Sequence, residues 1–211
     1  MSFKKFYLKE DEEKFNKDSI DTFQSFSKKA QYVARYFPKI GTGSSRIVYD
    51  MGDGNVLKLA KNVKGYDQNN TEGDWGMQKM YPDIISELID KDEEDDCSWL
   101  IMKKGTKMTP SKFQALTKVS WQDFTKAISE ADLDYRGKIK KENISEKTKE
   151  MLNDEDSIVY QVVDLMINFD MPPGDICRLA SWGDFNGKAR LLDLGFNNTV
   201  LNTHYRPRNA K

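Results

Sequence analysis

Between residues 11 and 37 the apolar positions Phe15, Ile20, Phe23, Phe26, Ala30, Val33 and Phe37 recur at helical spacing, which predicts one or two helices. The period then shortens to two. Ile47, Tyr49 and Met51 alternate with smaller or polar residues, Gly52-Asp53-Gly54-Asn55 makes a turn, and Val56, Leu57, Leu59 and Ala60 follow. This pattern predicts a β-hairpin with a Gly-rich loop ahead of its first strand. In the polar stretch that comes next, Asn70 or Thr71 is expected to cap a short helix ending before Pro82. Residues 84–89 and 98–103 read as two further strands, separated by an acidic, solvated turn over 91–96.

From Pro110 onward the pattern turns helical, with Phe113, Leu116, Val119, Phe124 and Ile128 on one face. Residues 137–150 are lysine-rich and at best amphipathic. A stronger helix opens at Asp154-Glu155-Asp156-Ser157, whose acids suit the positive helix end. Ile158, Val159, Val162, Val163, Met166 and Ile167 form its apolar face, and Pro172-Pro173 stops it. A last hairpin runs over 182–192 through the turn Asn186-Gly187. The expected class is therefore α+β: a helical extension over 1–37, a small antiparallel sheet lobe over 38–104, and a mostly helical lobe over 105–211.

Composition narrows the function. The 33 basic and 34 acidic residues nearly cancel, so no bulk charge points to nucleic acid or a membrane. No apolar run approaches membrane-spanning length, and the first residues lack a signal-peptide pattern, so a cytoplasmic location is expected. Cys97 and Cys177 form no metal-type cluster. The single histidine, His204, lies in a basic tail expected to be disordered, which argues against chemistry built on a histidine base.

Three segments carry candidate chemistry. Gly41-Thr42-Gly43-Ser44-Ser45-Arg46-Ile47-Val48 sets glycines and serines ahead of a strand, where backbone N–H groups can approach phosphate oxygens; an ordinary hairpin turn is the plainer alternative. Lys58 stands inside an otherwise apolar strand, which is costly unless an anion pairs with it or the strand is an edge open to water. Glu72 on the following helix is its expected partner, with Glu87 second. Asp193 follows an apolar strand and precedes Leu194-Gly195, a position that suits magnesium, although a simple Asp-x-Gly turn reads the same way.

Taken together, Gly41-x-Gly43, Val48, Lys58, Glu72 and Asp193-Leu194-Gly195 resemble the Gly loop, strand lysine, helix glutamate and Asp-Phe-Gly motif of protein kinases. The segments GTGSSRIVYD and NVLKLA resemble small kinase-like proteins encoded by bacteriophages more specifically. The resemblance implies a protein-kinase-like two-lobed fold and the cofactors ATP and Mg²⁺. It implies Gly41, Gly43, Ser44, Ser45, Val48, Lys58 and Met102 around the nucleotide, with adenine against the backbone of residues 102–104. Lys58, Glu72 and Asp175 are the implied catalytic set, with Asp193 on the metal and Ser181 near the position of the second metal-side residue.

The catalytic loop departs from the family. In one register Asn168-Phe169-Asp170 stands for His-Arg-Asp; in the other Asp175 is the catalytic aspartate and Ser181 falls near the Asn position. The second register is preferred. Asp170 falls at a helix end, whereas the proline pair is expected to carry the chain into an extended loop before Asp175. The missing Asn and the absent Arg before the aspartate leave two readings of function open. One is a kinase acting on a protein hydroxyl or a small molecule. The other is a pseudokinase that works as a protein-binding module on a host target.

Overall fold

The alternation over 46–60 produces the hairpin that organises the first lobe. A computed structural model describes residues 14–93 and 96–205. Residues 11–13 of the expected first helix, residues 94 and 95 of the acidic turn, and the tail from 206 onward lie outside the described residues. Strands β1 (Lys39–Thr42), β2 (Arg46–Asp50) and β3 (Asn55–Ala60) run antiparallel, with Val48 opposite Lys58. Gly52 and Gly54 take positive φ values of 79° and 84° in the connecting turn, where a side chain would be strained.

Two helices follow instead of the single one expected. Helix α2 (Val63–Glu72) comes after α1 (Phe26–Val33) of the N-terminal segment, and α3 (Trp75–Met80) comes next. Their caps are Asn62 and Asp74, whose side chains accept from Gly65 N and Met77 N. Asn70 and Thr71 instead lie inside α2. Of the two later strands, the one expected over 84–89 is displaced to β4 (Leu88–Lys91), which takes in the first residue of the expected acidic turn, and β5 is Trp99–Lys103. The five-stranded sheet has the order β1-β2-β3-β5-β4.

Period two splits β3 between two surroundings. Leu57 and Leu59 pack with Ile20, Tyr32, Val33 and Trp99, so the N-terminal segment covers that face of the sheet. Asp21 pins it there by accepting from Ser98 Oγ at 2.7 Å and Trp99 Nε1 at 2.9 Å. Val56 and Lys58 face the other way, on the side of Leu100 and Met102.

The second lobe is mostly helical. After the two-residue strand β6 (Thr106–Lys107) come α4 (Pro110–Thr117), α5 (Trp121–Tyr135), α6 (Glu146–Asn153) and α7 (Ile158–Asn168). The lysine-rich 137–150 region thus ends inside a helix. The core joins Phe113, Phe124, Ile128, Val162 and Leu165 to Trp182, whose indole N–H donates to Ile176 O at 2.8 Å. Each such side chain, fully buried, contributes about 1.5–3 kcal/mol.

Pro172-Pro173 does not lead into an extended loop. Pro173 opens a single helical turn, α8 (Pro173–Ile176), because its fixed φ and missing N–H suit a first helical position. The late hairpin forms as β7 (Trp182–Phe185) and β8 (Lys188–Leu191), with Asn186 and Gly187 at positive φ, and β6 adds a third strand to it. Helix α9 (Asn198–His204), not expected from sequence, returns to α2 of the first lobe: His204 Nε2 lies 2.5 Å from Asp67 Oδ2 and Gln68 Nε2 lies 3.1 Å from the Tyr205 hydroxyl. His204 is therefore part of α9, and with Tyr205 it contacts α2 instead of opening a tail. The two lobes are also stitched where Ile85 pairs with Leu191 and Ser86 N donates to Leu191 O at 2.8 Å. That bridge sets the residues after β8 directly under the sheet.

Candidate functional site

Lys58 points off the sheet into the space between the lobes and is only 7% exposed. Its Nζ lies 2.6 Å from Glu72 Oε1 and 2.5 Å from the carbonyl of Leu192. Glu72 is the last residue of α2 and 1% exposed, so its charge is held wholly by the protein. Glu87, the alternative partner, is exposed just ahead of β4.

Arg46 completes the cluster, and its role was not read from the sequence. Its Nη1 lies 2.5 Å from Glu72 Oε2 and its Nη2 lies 2.5 Å from Asp193 Oδ1. Lys58, Glu72, Arg46 and Asp193 therefore form a chain of alternating charge from β3 to the segment just past β8. Burial works against the Arg46 charge, but Glu72 and Asp193 outweigh it and raise its pKa further. Burial likewise disfavours the Asp193 carboxylate; Arg46 and Lys58 outweigh this and hold its pKa below the usual value. The Asp193 side chain is still 52% exposed, on the floor of the cleft. A signal for Arg46 was present. In the alternation of β2 it occupies the same face as Val48, where a charged residue needs a partner.

The Gly-rich segment lies over this cluster. Gly43 N donates to Arg46 O at 2.9 Å, Ser44 O accepts from Asn62 Nδ2 at 3.0 Å, and Ser45 Oγ donates to Gln68 Oε1. A Cβ on Gly65 would stand 2.4 Å from Ser45 O, so the loop can sit this close to α2 only because residue 65 is glycine.

These residues open onto one cleft of about 790 Å³. Gly41, Gly43, Ser44, Ser45, Val48, Lys58, Met102, Asp175 and Asp193 all line it. Glu72 is buried behind Lys58. Ser181 does not line the cleft: it is buried, and its carbonyl accepts from Leu192 N at 2.7 Å, while Ala180 takes the lining position. Within the linker at 102–104 the N–H groups of Lys103 and Lys104 are engaged by the carbonyls of Glu87 and Gly54.

The two candidate aspartates are separated. Asp170 stands past the end of α7 at φ 51°, with Oδ1 2.7 Å from Asn198 Nδ2, and lines a small second pocket beside α5. Asp175 lines the main cleft and pairs with Arg178 at 3.0 Å. Burial raises the Asp175 pKa, the nearby Asp193 charge adds to the rise, and Arg178 and Arg46 partly offset it. Arg178 and Tyr205 are further cleft residues that the sequence did not single out. Among the described residues no group of three or more His, Cys, Asp or Glu side chains is placed to hold a metal ion, and no helix is long and apolar enough to cross a membrane.

No protein-family model matches the chain, and no curated protein matches it. Among solved structures it is similar to the streptomycin-ATP-APH(2")-IIa ternary complex at 14% identity and a TM-score of 0.37, over 81% of this chain and 71% of that one.

Proposed function

We propose that the cleft binds ATP and that the protein transfers the terminal phosphate to a protein hydroxyl. The observation that carries this reading is the Lys58–Glu72 ion pair facing Asp193 and Asp175 across a single cleft. Val48, Val56, Met102 and Leu192 offer an apolar slot for adenine. With the Lys103 and Lys104 N–H groups engaged elsewhere, the base would be held there mainly by packing. The loop from Gly41 to Ser45 would cover the phosphates, and Lys58, fixed by Glu72, would bind their oxygens.

Magnesium favours few carboxylates plus phosphate oxygens, and half-exposed Asp193 fits an ion carried on the nucleotide as a lone protein carboxylate. Such an ion would neutralise phosphate charge. In the transfer step the acceptor oxygen forms a bond to the γ-phosphorus, the bond to the bridging β–γ oxygen breaks, and ADP leaves. The acceptor proton passes to Asp175, whose raised pKa suits a proton acceptor. Among the described residues, the carboxylates lining the cleft are Asp175 and Asp193, against five Lys and Arg residues, which disfavours a polycationic small-molecule acceptor.

A second reading, a nucleotide-holding module that works by contacting another protein, is favoured by two observations. Arg46 occupies Asp193, and Arg178 pairs with Asp175, so both carboxylates are already engaged. Parallel incubation with γ-labelled and α-labelled ATP separates the outcomes. The proposal predicts label on protein from the γ-position alone. Label from the α-position would indicate nucleotidyl transfer, and binding without label would favour the module.

A further inference from the structure

We infer that Arg46 is a built-in cation of the nucleotide site, taking over the charge neutralisation at Asp193 so that nucleoside triphosphate binds with little dependence on divalent metal. The inference rests on the nucleotide-binding reading above and concerns what supplies positive charge there. Lys58 and Glu72 cancel one another, which leaves the Asp193 carboxylate as an unbalanced negative charge beside the phosphate end of the cleft. A metal ion bound there would supply the missing charge. Here the guanidinium supplies it, 2.5 Å from Asp193 Oδ1.

The arrangement is built into the fold. Arg46 is 7% exposed, and its Nη1 is held by Glu72 and also lies 3.4 Å from Oδ1 of Asn69, itself fully buried. The backbone makes room for it: a Cβ on residue 195 would stand 3.0 Å from Nη2 and 2.9 Å from Gln68 Cβ, so glycine is needed there. The guanidinium also lines the cleft, beside Lys58 and the Gly-rich loop. It keeps its charge at any working pH, and its planar fork of donors suits phosphate as well as carboxylate. An incoming triphosphate therefore meets a charge-balanced cluster, with the Lys58 and Arg46 donors beside it, instead of a bare Asp193 carboxylate that would repel it. A divalent ion, by contrast, must share the Asp193 carboxylate with a positive group already bonded to it.

The test is calorimetric titration of ATP into the wild-type chain in EDTA and in excess Mg²⁺, repeated with Arg46→Gln and Arg46→Lys. Wild type is expected to change affinity by less than about threefold between the two conditions. Arg46→Gln is expected to lose about tenfold or more in EDTA and to recover with Mg²⁺, and Arg46→Lys to fall between. Wild-type binding seen only with Mg²⁺ overturns the inference and leaves nucleotide binding standing. Absence of binding in both conditions overturns the nucleotide reading as well. The wild-type comparison decides even if a variant fails to fold, and an Arg46→Gln protein that binds like wild type in EDTA also overturns it.

Discussion

Asp175→Asn is expected to lower phosphoryl transfer about 10²–10⁴-fold, the usual contribution of a positioned general base, while changing ATP affinity little. Asp170→Asn should be mild, since Asp170 lies outside the main cleft against Asn198. Stability should move the opposite way from activity. The folded protein raises the Asp175 pKa, so the folded state binds this proton more tightly than the unfolded chain does. The charged form at neutral pH is therefore a cost to folding. Asp175→Asn should melt at a higher temperature than wild type near pH 7, and the gain should vanish as the pH falls below about 4, where the wild-type carboxyl is protonated in both states. Turnover assays and melting curves against pH check both halves. A variant with full turnover would remove Asp175 from the chemistry.

Glu72→Gln carries the largest expected loss of stability, about 3–5 kcal/mol, because it leaves two buried cations without their shared anion. Lys58 would keep only the Leu192 carbonyl, and Arg46 would keep Asp193 and Asn69. Lys58→Met should cost less, since Glu72 retains Arg46 at 2.5 Å. Urea denaturation midpoints for the two variants give the ranking. Equal midpoints would mean that Arg46 and Lys58 do not depend on the same carboxylate.

Local signals carried well in this sequence. The hairpins at 46–60 and 182–191 follow from alternation plus Gly-containing turns, both of which are written within a few residues. Lys58 was legible because a lysine amid apolar strand residues demands an anion, and α2 delivers Glu72. The break between α2 and α3 was missed because several polar residues in that stretch can act as caps, and only packing selects Asn62 and Asp74. The turn at Asp175 was missed because a second proline can start a helix as readily as it ends one. Helix α9 is short and polar, and its reason to form lies on α2, in Asp67 and Gln68. The Arg46–Asp193 contact spans 147 positions, so no local pattern announces it.

The central claim is that ATP binds between the lobes against Lys58. Its most direct test is calorimetric titration of ATP, with Mg²⁺ present, into wild type and Lys58→Met. The account predicts saturable binding to wild type and an affinity lower by about tenfold or more in Lys58→Met, from loss of a charge-assisted contact to phosphate. Equal affinity in the two proteins, or no binding to wild type at millimolar ATP, would contradict it.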